Sequence, residues 1–248
     1  MMKTEGVEVG VSKQVLPLGN PFRSIAGIYD AMSILISFGL IGMWRKRVAR
    51  MLAVGTGEVA LDLGTGTADF AIELTRVSAV GARIIGIDLT PEMLVQARRK
   101  VYLQGLGTRI ELRVGNGEQL DLPDNSVDLC CSSFLVRTLT DLEQGLQEMW
   151  RVVRPGGRLV CLEVSHPPQP ILRALFHGYF YNCAPLFGAL LGQNLSAYQY
   201  FPQSLRAFPD APQLKALMEK YGWKDVRFHY LTGGVVALHI ATKKGSAT

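Results

Sequence analysis

A run of acidic and small residues, Asp62-Leu63-Gly64-Thr65-Gly66, has the composition of a ligand-binding turn. Glycine at position 64 permits a tight turn, and glycine at position 66 lets the backbone approach a ligand closely. Asp88 follows Gly66 by 22 residues, a spacing at which a carboxylate can accept hydrogen bonds from both hydroxyls of a ribose. The spacing predicts a nucleotide-binding loop between a strand and a helix.

Three side chains bear on which nucleotide this loop binds. Asp69 occupies the position of the third glycine of a G-x-G-x-x-G dinucleotide loop. The carboxylate of Asp62 would repel a pyrophosphate but attract the ammonium of a methionine moiety. Asn116 can hydrogen-bond an adenine edge. S-adenosylmethionine is therefore favoured over NAD, and an NAD-dependent oxidoreductase is the alternative for the same loop.

The apolar pattern around the loop alternates between short buried runs and amphipathic runs. The short runs predict strands at 59–63, 83–88, 109–114, 127–133 and 158–164. Helices between these strands indicate a parallel sheet that is covered on both faces. After a helix at 211–221, strands at 224–230 and 235–242 complete the pattern. The predicted fold is α/β, a doubly wound and mostly parallel seven-stranded sheet with an antiparallel last strand.

The remaining segments are expected to surround this sheet. We expect residues 1–20 to form a flexible tail and residues 21–248 to form a single domain. A helical N-terminal cap is predicted at 21–53, with an interruption around Gly39 to Gly42. The long connection at 166–208 predicts a helical lid, because connections of this length in a compact domain are usually functional.

Composition limits the class of protein. The chain has 248 residues, 48% of them hydrophobic, and a net charge of +5, which indicates a globular protein with a weak attraction to anionic surfaces. The cysteines form no C-x-x-C pair, and the first 14 residues contain no apolar secretory run, so we expect buried thiols in a cytoplasmic protein. Two apolar segments, 34–44 and 171–192, are expected to line a lipophilic pocket or to touch a membrane surface without spanning it.

Two kinds of partner are predicted to be absent. The histidines do not have metal-ligand spacing and no acidic cluster accompanies them, so no metal is predicted. Basic residues are scattered without interleaved aromatic residues, so no nucleic-acid binding is predicted.

Several segments outside the loop carry a family pattern. They are Tyr29-Asp30-Ala31-Met32 with Ser37 and Trp44, Arg151–Leu159 with Glu163 and Ser165, and, in the last third, Ala197–Tyr200, Ser204, Arg206, Pro209, Asp210 and Leu231–His239. In these residues the chain resembles the class I S-adenosylmethionine-dependent methyltransferases. More narrowly, it resembles the quinone-biosynthesis C-methyltransferases that act on demethylmenaquinone and related polyprenyl quinols. The resemblance covers roughly residues 22–243.

The resemblance implies an activity and a cellular location. A methyltransferase of this kind moves the methyl group of S-adenosylmethionine to a ring carbon of a reduced polyprenyl quinol, here demethylmenaquinol-like. The acceptor is then a lipophilic small molecule, and the enzyme is expected in the cytoplasm with peripheral contact at the inner face of the cell membrane. The oligomeric state is left open, with a homodimer among the options.

The resemblance also implies which residues act. Thr67, Asp88, Asn116, Gly117 and Ser133 match the family's cofactor contacts. The full predicted cofactor-binding set is Asp62, Gly64, Gly66, Thr67, Asp88, Leu89, Asn116, Gly117 and Ser133. The predicted catalytic residues are Tyr198, which can relay a proton, Arg206, which can stabilise a phenolate, and Asp30.

Three positions depart from the family pattern. Ser33, Ile41 and Thr138 stand where the family usually has asparagine, histidine and asparagine. The replaced side chains can bond a polar substrate head, so the identity of the acceptor is left open. The alternative is a methyltransferase of the same fold that acts on another lipophilic or aromatic small molecule.

Overall fold

Seven strands form one sheet in the computed structural model, which describes residues 22–183 and 195–245. The order across the sheet is β3-β2-β1-β4-β5-β7-β6, and only β7 runs antiparallel to its neighbours. The strands are β1 Val59–Leu63, β2 Arg83–Asp88, β3 Ile110–Val114, β4 Val127–Ser133, β5 Val153–Val164, β6 Lys224–Leu231 and β7 Val236–Thr242. The predicted α/β sheet with an antiparallel last strand is confirmed.

Helices cover both faces of this sheet. Those within the described residues are α1 Tyr29–Ile36, α2 Leu40–Met51, α3 Asp69–Val77, α4 Pro91–Leu103, α5 Leu142–Val152, α6 Pro170–Gly178, α7 Leu195–Arg206 and α8 Ala211–Lys220. The predicted cap begins with turns at 22–28 and becomes helical only at Tyr29. Gly39, at φ 78°, separates α1 from α2 where the interruption was predicted. The predicted tail at 1–20 and residues 184–194 of the predicted lid lie outside the described residues.

The central strand contributes to a hydrophobic core on each side of the sheet. Successive side chains of a strand point to opposite faces, so Ala60 packs with α2, α3 and α4, while Leu61 and Leu63 pack with α5 and α8. Burial on both faces explains why β1 consists almost entirely of apolar residues. The exception is Asp62, whose burial becomes important at the site.

The strand order reverses at the centre of the sheet. β1 pairs with β2 on one side and with β4 on the other, and both partners are parallel to it. In open α/β sheets, ligands bind outside the carboxyl ends of the strands at such a reversal. The topology therefore brings the loop after β1, Asp88 at the end of β2 and Ser133 at the end of β4 to one edge.

One strand is longer than the sequence pattern indicated. β5 begins at Val153, which pairs with Val127, whereas the apolar pattern predicted a start at Arg158. The Pro155-Gly156-Gly157 segment conceals this start because it has the composition of a turn. Its register against β4 shifts between Val127 and Leu129, which accommodates the irregular segment within the sheet.

The membrane-like segments do not produce a spanning helix in the part of the chain that the structure describes. Three of the cysteines, Cys130, Cys131 and Cys161, are free and buried, and Cys183 is free and partly exposed.

His239 in β7 is a buried histidine held by the backbone. Its Nε2 lies 2.9 Å from the carbonyl oxygen of Ala211, which only accepts, so Nε2 carries the proton and donates it. Burial lowers the pKa of His239 to about 4, and the hydrogen bond opposes this only in part. Between about pH 4 and pH 6.5, this imidazole is therefore neutral in the native protein and protonated in the unfolded chain.

The free energy of unfolding should fall as the pH drops through this window. Below about pH 6.5 the unfolded chain binds a proton that the native state refuses until about pH 4, so acid favours unfolding by up to about 3 kcal/mol. In His239→Gln this contribution is absent. Chemical denaturation of both proteins from pH 7 to pH 4 should give a wild-type curve that falls more steeply. Parallel curves would show that His239 does not titrate in this way.

Candidate active site

A cavity opens at the edge of the sheet where the strand order reverses. Its wall comes from the loops after β1, β2, β3 and β4 and from the N-terminal region. The lining residues include Phe22, Tyr29, Arg45, Gly64, Thr65, Gly66, Asp88, Leu89, Met93, Asn116, Gly117, Glu118, Ser133, Phe134, Leu135 and Thr138. Seven members of the predicted cofactor-binding set are among them: Gly64, Gly66, Asp88, Leu89, Asn116, Gly117 and Ser133.

The glycine loop is shaped by backbone contacts with β2. The N–H groups of Gly64 and Thr65 both donate to the carbonyl oxygen of Ile87, at 2.8 and 3.0 Å. Gly64 has φ 70°, and a Cβ on it would lie 2.7 Å from Cβ of Leu135. Gly66 has φ 55° and open space where its Cβ would be. The first glycine is thus required for packing, and the second leaves backbone free to face a ligand.

Asp88 is fixed between the glycine loop and the start of α4. Its Oδ2 accepts from the N–H of Gly66 at 2.8 Å, and its Oδ1 accepts from the N–H of Thr90 at 2.8 Å. Burial raises the pKa of Asp88, and these two hydrogen bonds act in the opposite direction. Each oxygen retains a lone pair, so the carboxylate in the cavity wall has a fixed orientation and can accept further hydrogen bonds from a ligand.

Asp62 is buried directly behind the loop and does not line the cavity. The hydroxyl of Thr65 donates to its Oδ2 at 2.7 Å, whereas its Oδ1 has no hydrogen-bond partner among the described residues. Burial raises the pKa of Asp62 to about 6, against the opposing effects of Thr65 and Arg45. An acceptor oxygen is thus held beneath the loop without a donor.

The turn after β3 presents backbone and an amide to the cavity. Oδ1 of Asn116 accepts from the N–H of Glu118 at 3.0 Å, which leaves the NH₂ group of this cavity-lining side chain available for a further hydrogen bond. A Cβ on Gly117 would lie 3.4 Å from Leu139, and a Cβ on Gly115 would lie 2.9 Å from Ile87. The glycines therefore let this turn pack closely against neighbouring strands.

Thr67 and Asp30 contact one another and do not line the cavity. The Thr67 hydroxyl donates to Oδ1 of Asp30 at 2.6 Å and accepts from Nζ of Lys100 at 3.0 Å. Lys100 also lies 2.5 Å from carboxylate oxygens of both Asp30 and Asp69. This cluster joins α1, the glycine loop, α3 and α4. Asp30 is placed to hold the loop, whereas the sequence suggested a catalytic position.

Two of the three predicted catalytic residues, Asp30 and Arg206, do not line the cavity. Arg206 is exposed at the end of α7, and its guanidinium lies over the ring of Tyr181 at 4.7 Å, away from the cavity wall. The side chain of Tyr198 is outside the described part of the chain. Tyr200 on the same helix donates to the carbonyl oxygen of Thr138 at 3.1 Å, and burial raises its pKa to about 12.

Two of the departures from the family pattern lie away from the cavity. Ile41 packs in the core, and Ser33 is half-buried on α1. Thr138 does line the cavity, but its hydroxyl donates to the carbonyl oxygen of Leu135 at 2.7 Å. The preceding residue, Arg137, forms a buried ion pair with Glu163 at 3.2 Å.

Sequence reasoning missed Arg45 and Phe22, which line the cavity from the N-terminal region together with Tyr29 of the family pattern. Arg45 on α2 is 8% exposed, and its Nε donates to the hydroxyl oxygen of Ser133 at 3.3 Å. A signal was available in the sequence: the buried face of α2 consists of Ile41, Trp44, Arg45, Val48 and Ala49. An arginine within such an apolar face requires a buried partner or a ligand.

Comparisons with known proteins identify the family to which this arrangement belongs. Residues 11–243 match the model of the ubiE/COQ5 methyltransferase family. The chain belongs to this family. It is 36% identical to a ubiquinone/menaquinone biosynthesis C-methyltransferase from Hahella chejuensis, over 95% of each chain. It is also 36% identical to a demethylmenaquinone methyltransferase from Lactiplantibacillus plantarum, over 90% of this chain and 94% of the relative.

Solved structures give the same fold. A SAM-dependent methyltransferase from Aquifex aeolicus superposes with a TM-score of 0.63 at 18% identity, over 91% of this chain and 99% of the other. Together with the family match, this confirms the predicted class I methyltransferase and identifies the protein as an enzyme that uses S-adenosylmethionine.

Asp62→Asn should separate a ligand-binding role from a structural one. Between about pH 4 and pH 6 native Asp62 binds a proton that the unfolded chain releases, so the free energy of unfolding of wild type falls as the pH rises. The neutral amide removes this decline, and the variant should gain about 3 kcal/mol relative to wild type across the window. At pH 7 its affinity for S-adenosylmethionine, measured by calorimetry, should fall at least 10-fold. Unchanged affinity would contradict the assignment of Asp62 to the methionyl ammonium.

Proposed function

We propose that this enzyme transfers the methyl group of S-adenosylmethionine to a ring carbon of a reduced, demethylmenaquinol-like polyprenyl quinol. The observation that carries the proposal is the cavity at the strand reversal, walled by the glycine loop and Asp88, in a chain that belongs to the ubiE/COQ5 family. The relatives' names specify quinone-biosynthesis methylation at carbon. A same-fold enzyme for another lipophilic or aromatic acceptor is the second candidate, because Thr138 in the cavity wall offers the acceptor no amide.

The residues around the cavity fit the methyl donor. Oδ1 of Asp62 lacks a donor among the described residues, and an ammonium supplies one directly or through water. Asp88 retains acceptor capacity suited to a ribose, and the amide of Asn116 suits an adenine edge. When bound, S-adenosylmethionine supplies a methyl group that is already activated by its sulfonium.

The chemistry assigned to the protein is mainly positioning. The acceptor carbon forms a bond to the methyl group as the sulfur–carbon bond breaks, and the ring carbon then loses its proton. A ring carbon beside a hydroxyl is nucleophilic when that hydroxyl is deprotonated, so the reduced quinol reacts and the oxidised quinone does not. Phe22, Phe134 and Leu135 in the cavity wall are proposed to pack against the ring and to hold it against the donor.

The proton-handling residues are proposals on the lid. Tyr198 is proposed to relay the proton. Arg206 is proposed to stabilise the phenolate after its guanidinium turns from the ring of Tyr181 toward the cavity. Both are carried by α7, whose Tyr200 is bonded to Thr138 in the cavity wall. Asp30 is assigned instead to holding the loop, because Thr67 and Lys100 already engage both of its oxygens.

A surface suited to an anionic membrane lies beside the cap. Phe38 on the turn after α1 and Ile171 and Leu175 on α6 are exposed, and Phe38 contacts Tyr179, which follows α6, with ring centroids 5.3 Å apart. Lys46, Arg47 and Arg50 project from the exposed face of α2 and form no ion pair with another described residue. Exposed apolar residues on the cap and on α6, together with the unpaired cations of α2, favour contact with anionic lipid, which is where a polyprenyl acceptor resides.

Turnover should depend on the redox state of the acceptor. With S-adenosylmethionine, purified enzyme should convert demethylmenaquinol in detergent to a product that is heavier by one CH₂. The mass rises by about 14 Da because a methyl group replaces the hydrogen that leaves the ring carbon as a proton. Mass spectrometry should show no product when the quinone is kept oxidised. If a folded enzyme that binds the donor methylates an unrelated aromatic lipid and not this quinol, the second candidate function is correct.

Vesicle binding should depend on the free cations of α2. Sedimentation with vesicles containing one-third phosphatidylglycerol should retain wild type, and neutral vesicles should retain much less, roughly as expected for ~1 kcal/mol per basic residue near the surface. Lys46→Gln/Arg47→Gln/Arg50→Gln should lose the difference. Arg99→Gln/Lys224→Gln/Arg227→Gln, which removes the same charge from exposed positions elsewhere, is the matched control. Equal losses in both variants would refute a specific surface.

A further inference from the structure

We infer that Arg45 binds the carboxylate of the methionyl end of the donor. This inference rests on the proposed use of S-adenosylmethionine and adds a residue of the N-terminal cap to the donor site. It is carried by the position of one buried guanidinium and by the charge pattern of the cavity.

The guanidinium of Arg45 is oriented, and part of it remains available. Nε donates to the hydroxyl oxygen of Ser133 at 3.3 Å, and Nη1 donates to Oδ2 of Asp69 at 3.1 Å. The ring of Phe134 lies 5.9 Å from its central carbon. Nη2 donates to no described residue, although Arg45 lines the cavity beside the glycine loop. A planar guanidinium held at two of its nitrogens presents the third in a fixed direction.

The charges around the cavity leave one place for an anion. Among the described lining residues, Asp88 and Glu118 are acidic, and Arg45 is the basic residue. Asp62 adds a further carboxylate behind the loop. The methionyl end of the donor carries an ammonium and a carboxylate on the same carbon. When the ammonium lies near Asp62, the methionyl carboxylate on the same carbon also lies near the acidic side chains of the site. Their negative charges repel this carboxylate unless a cation lies beside it. Arg45 is that cation.

Asp69 engages only one nitrogen of Arg45. Its other carboxylate oxygen lies 2.5 Å from Nζ of Lys100, so Asp69 is shared between two cations. Together with Asp30, which Lys100 also contacts, the cluster holds two cations and two carboxylates, so Arg45 is available to a ligand through its unbonded Nη2 and not through an excess of positive charge. A purely structural ion pair would not need to place the arginine in the cavity wall.

The test compares ligands that differ in the carboxylate. Calorimetry measures binding of S-adenosylmethionine, S-adenosylhomocysteine, decarboxylated S-adenosylmethionine and 5′-methylthioadenosine to wild type and Arg45→Gln. Wild type should bind S-adenosylmethionine at least 10-fold more tightly than its decarboxylated form, which isolates the carboxylate. It should also bind S-adenosylhomocysteine more tightly than 5′-methylthioadenosine, which lacks the ammonium as well as the carboxylate. Arg45→Gln should lose roughly 10- to 100-fold in affinity for the first two and little for the others, as expected for a charge-assisted hydrogen bond. Arg227→Gln, at an exposed position on β6 that does not line the cavity, is the control and should behave as wild type.

The outcomes separate this inference from the proposed function. An equal loss for all four ligands would assign Arg45 a structural role and overturn the inference. Wild-type binding that does not discriminate against the decarboxylated ligand overturns it as well, with the donor assignment intact. Failure of wild type to bind any of the four overturns the donor assignment itself. If Arg45→Gln does not fold, Arg45→Lys is the variant to measure. The inference is supported if Arg45→Lys still prefers the ligands that carry the carboxylate but binds them more weakly than wild type. It is refuted if the affinity for every ligand is unchanged.

Discussion

Two carboxylates at one edge of the sheet are the constraint on which the site depends. Asp62 is buried near the end of β1, Asp88 is half-buried at the end of the neighbouring β2, and burial raises the pKa of each. A charge removed from water is tolerated when hydrogen bonds or opposite charges compensate it. The N–H groups of Gly66 and Thr90 do so for Asp88, and the guanidinium of Arg45 does so for Asp62. The tight turn, the start of α4 and the inward face of α2 all contribute to this compensation.

The sheet and the glycine loop could be predicted because their signals are local. Apolar runs of strand length, Pro91 at a helix start and two glycines one residue apart each reflect the conformation of the segment that contains them. Parallel strands then bring Gly64, Asp88, Asn116 and Ser133 to one edge without further information. The start of β5 was missed because Pro155-Gly156-Gly157 has the composition of a turn, whereas pairing of Val153 with Val127 extends the strand.

The inward or outward direction of single side chains could not be predicted in the same way. Thr67 belongs to the glycine loop, yet its hydroxyl faces Asp30 and Lys100, because tertiary contacts with α1 and α4 decide its orientation. Arg206 belongs to a family pattern, yet its guanidinium stacks on Tyr181. Arg45 lies more than 80 residues from Ser133 in sequence, and only the folded chain brings them together. Motifs indicate which residue types are needed, and packing determines which atoms meet.

The bond between Thr67 and Asp30 has a thermodynamic consequence. It makes the loop that faces the donor and the helix that begins the cap parts of one hydrogen-bonded unit. A donor that orders the loop on binding therefore also favours the ordered state of α1. In the same way, a lipid or acceptor that orders α1 favours the ordered state of the loop. Linkage is reciprocal, so the two ligands must raise each other's affinity by the same factor to the extent that this hydrogen bond transmits the coupling. A single hydroxyl group thus gives the enzyme a means to favour both substrates together over either one alone.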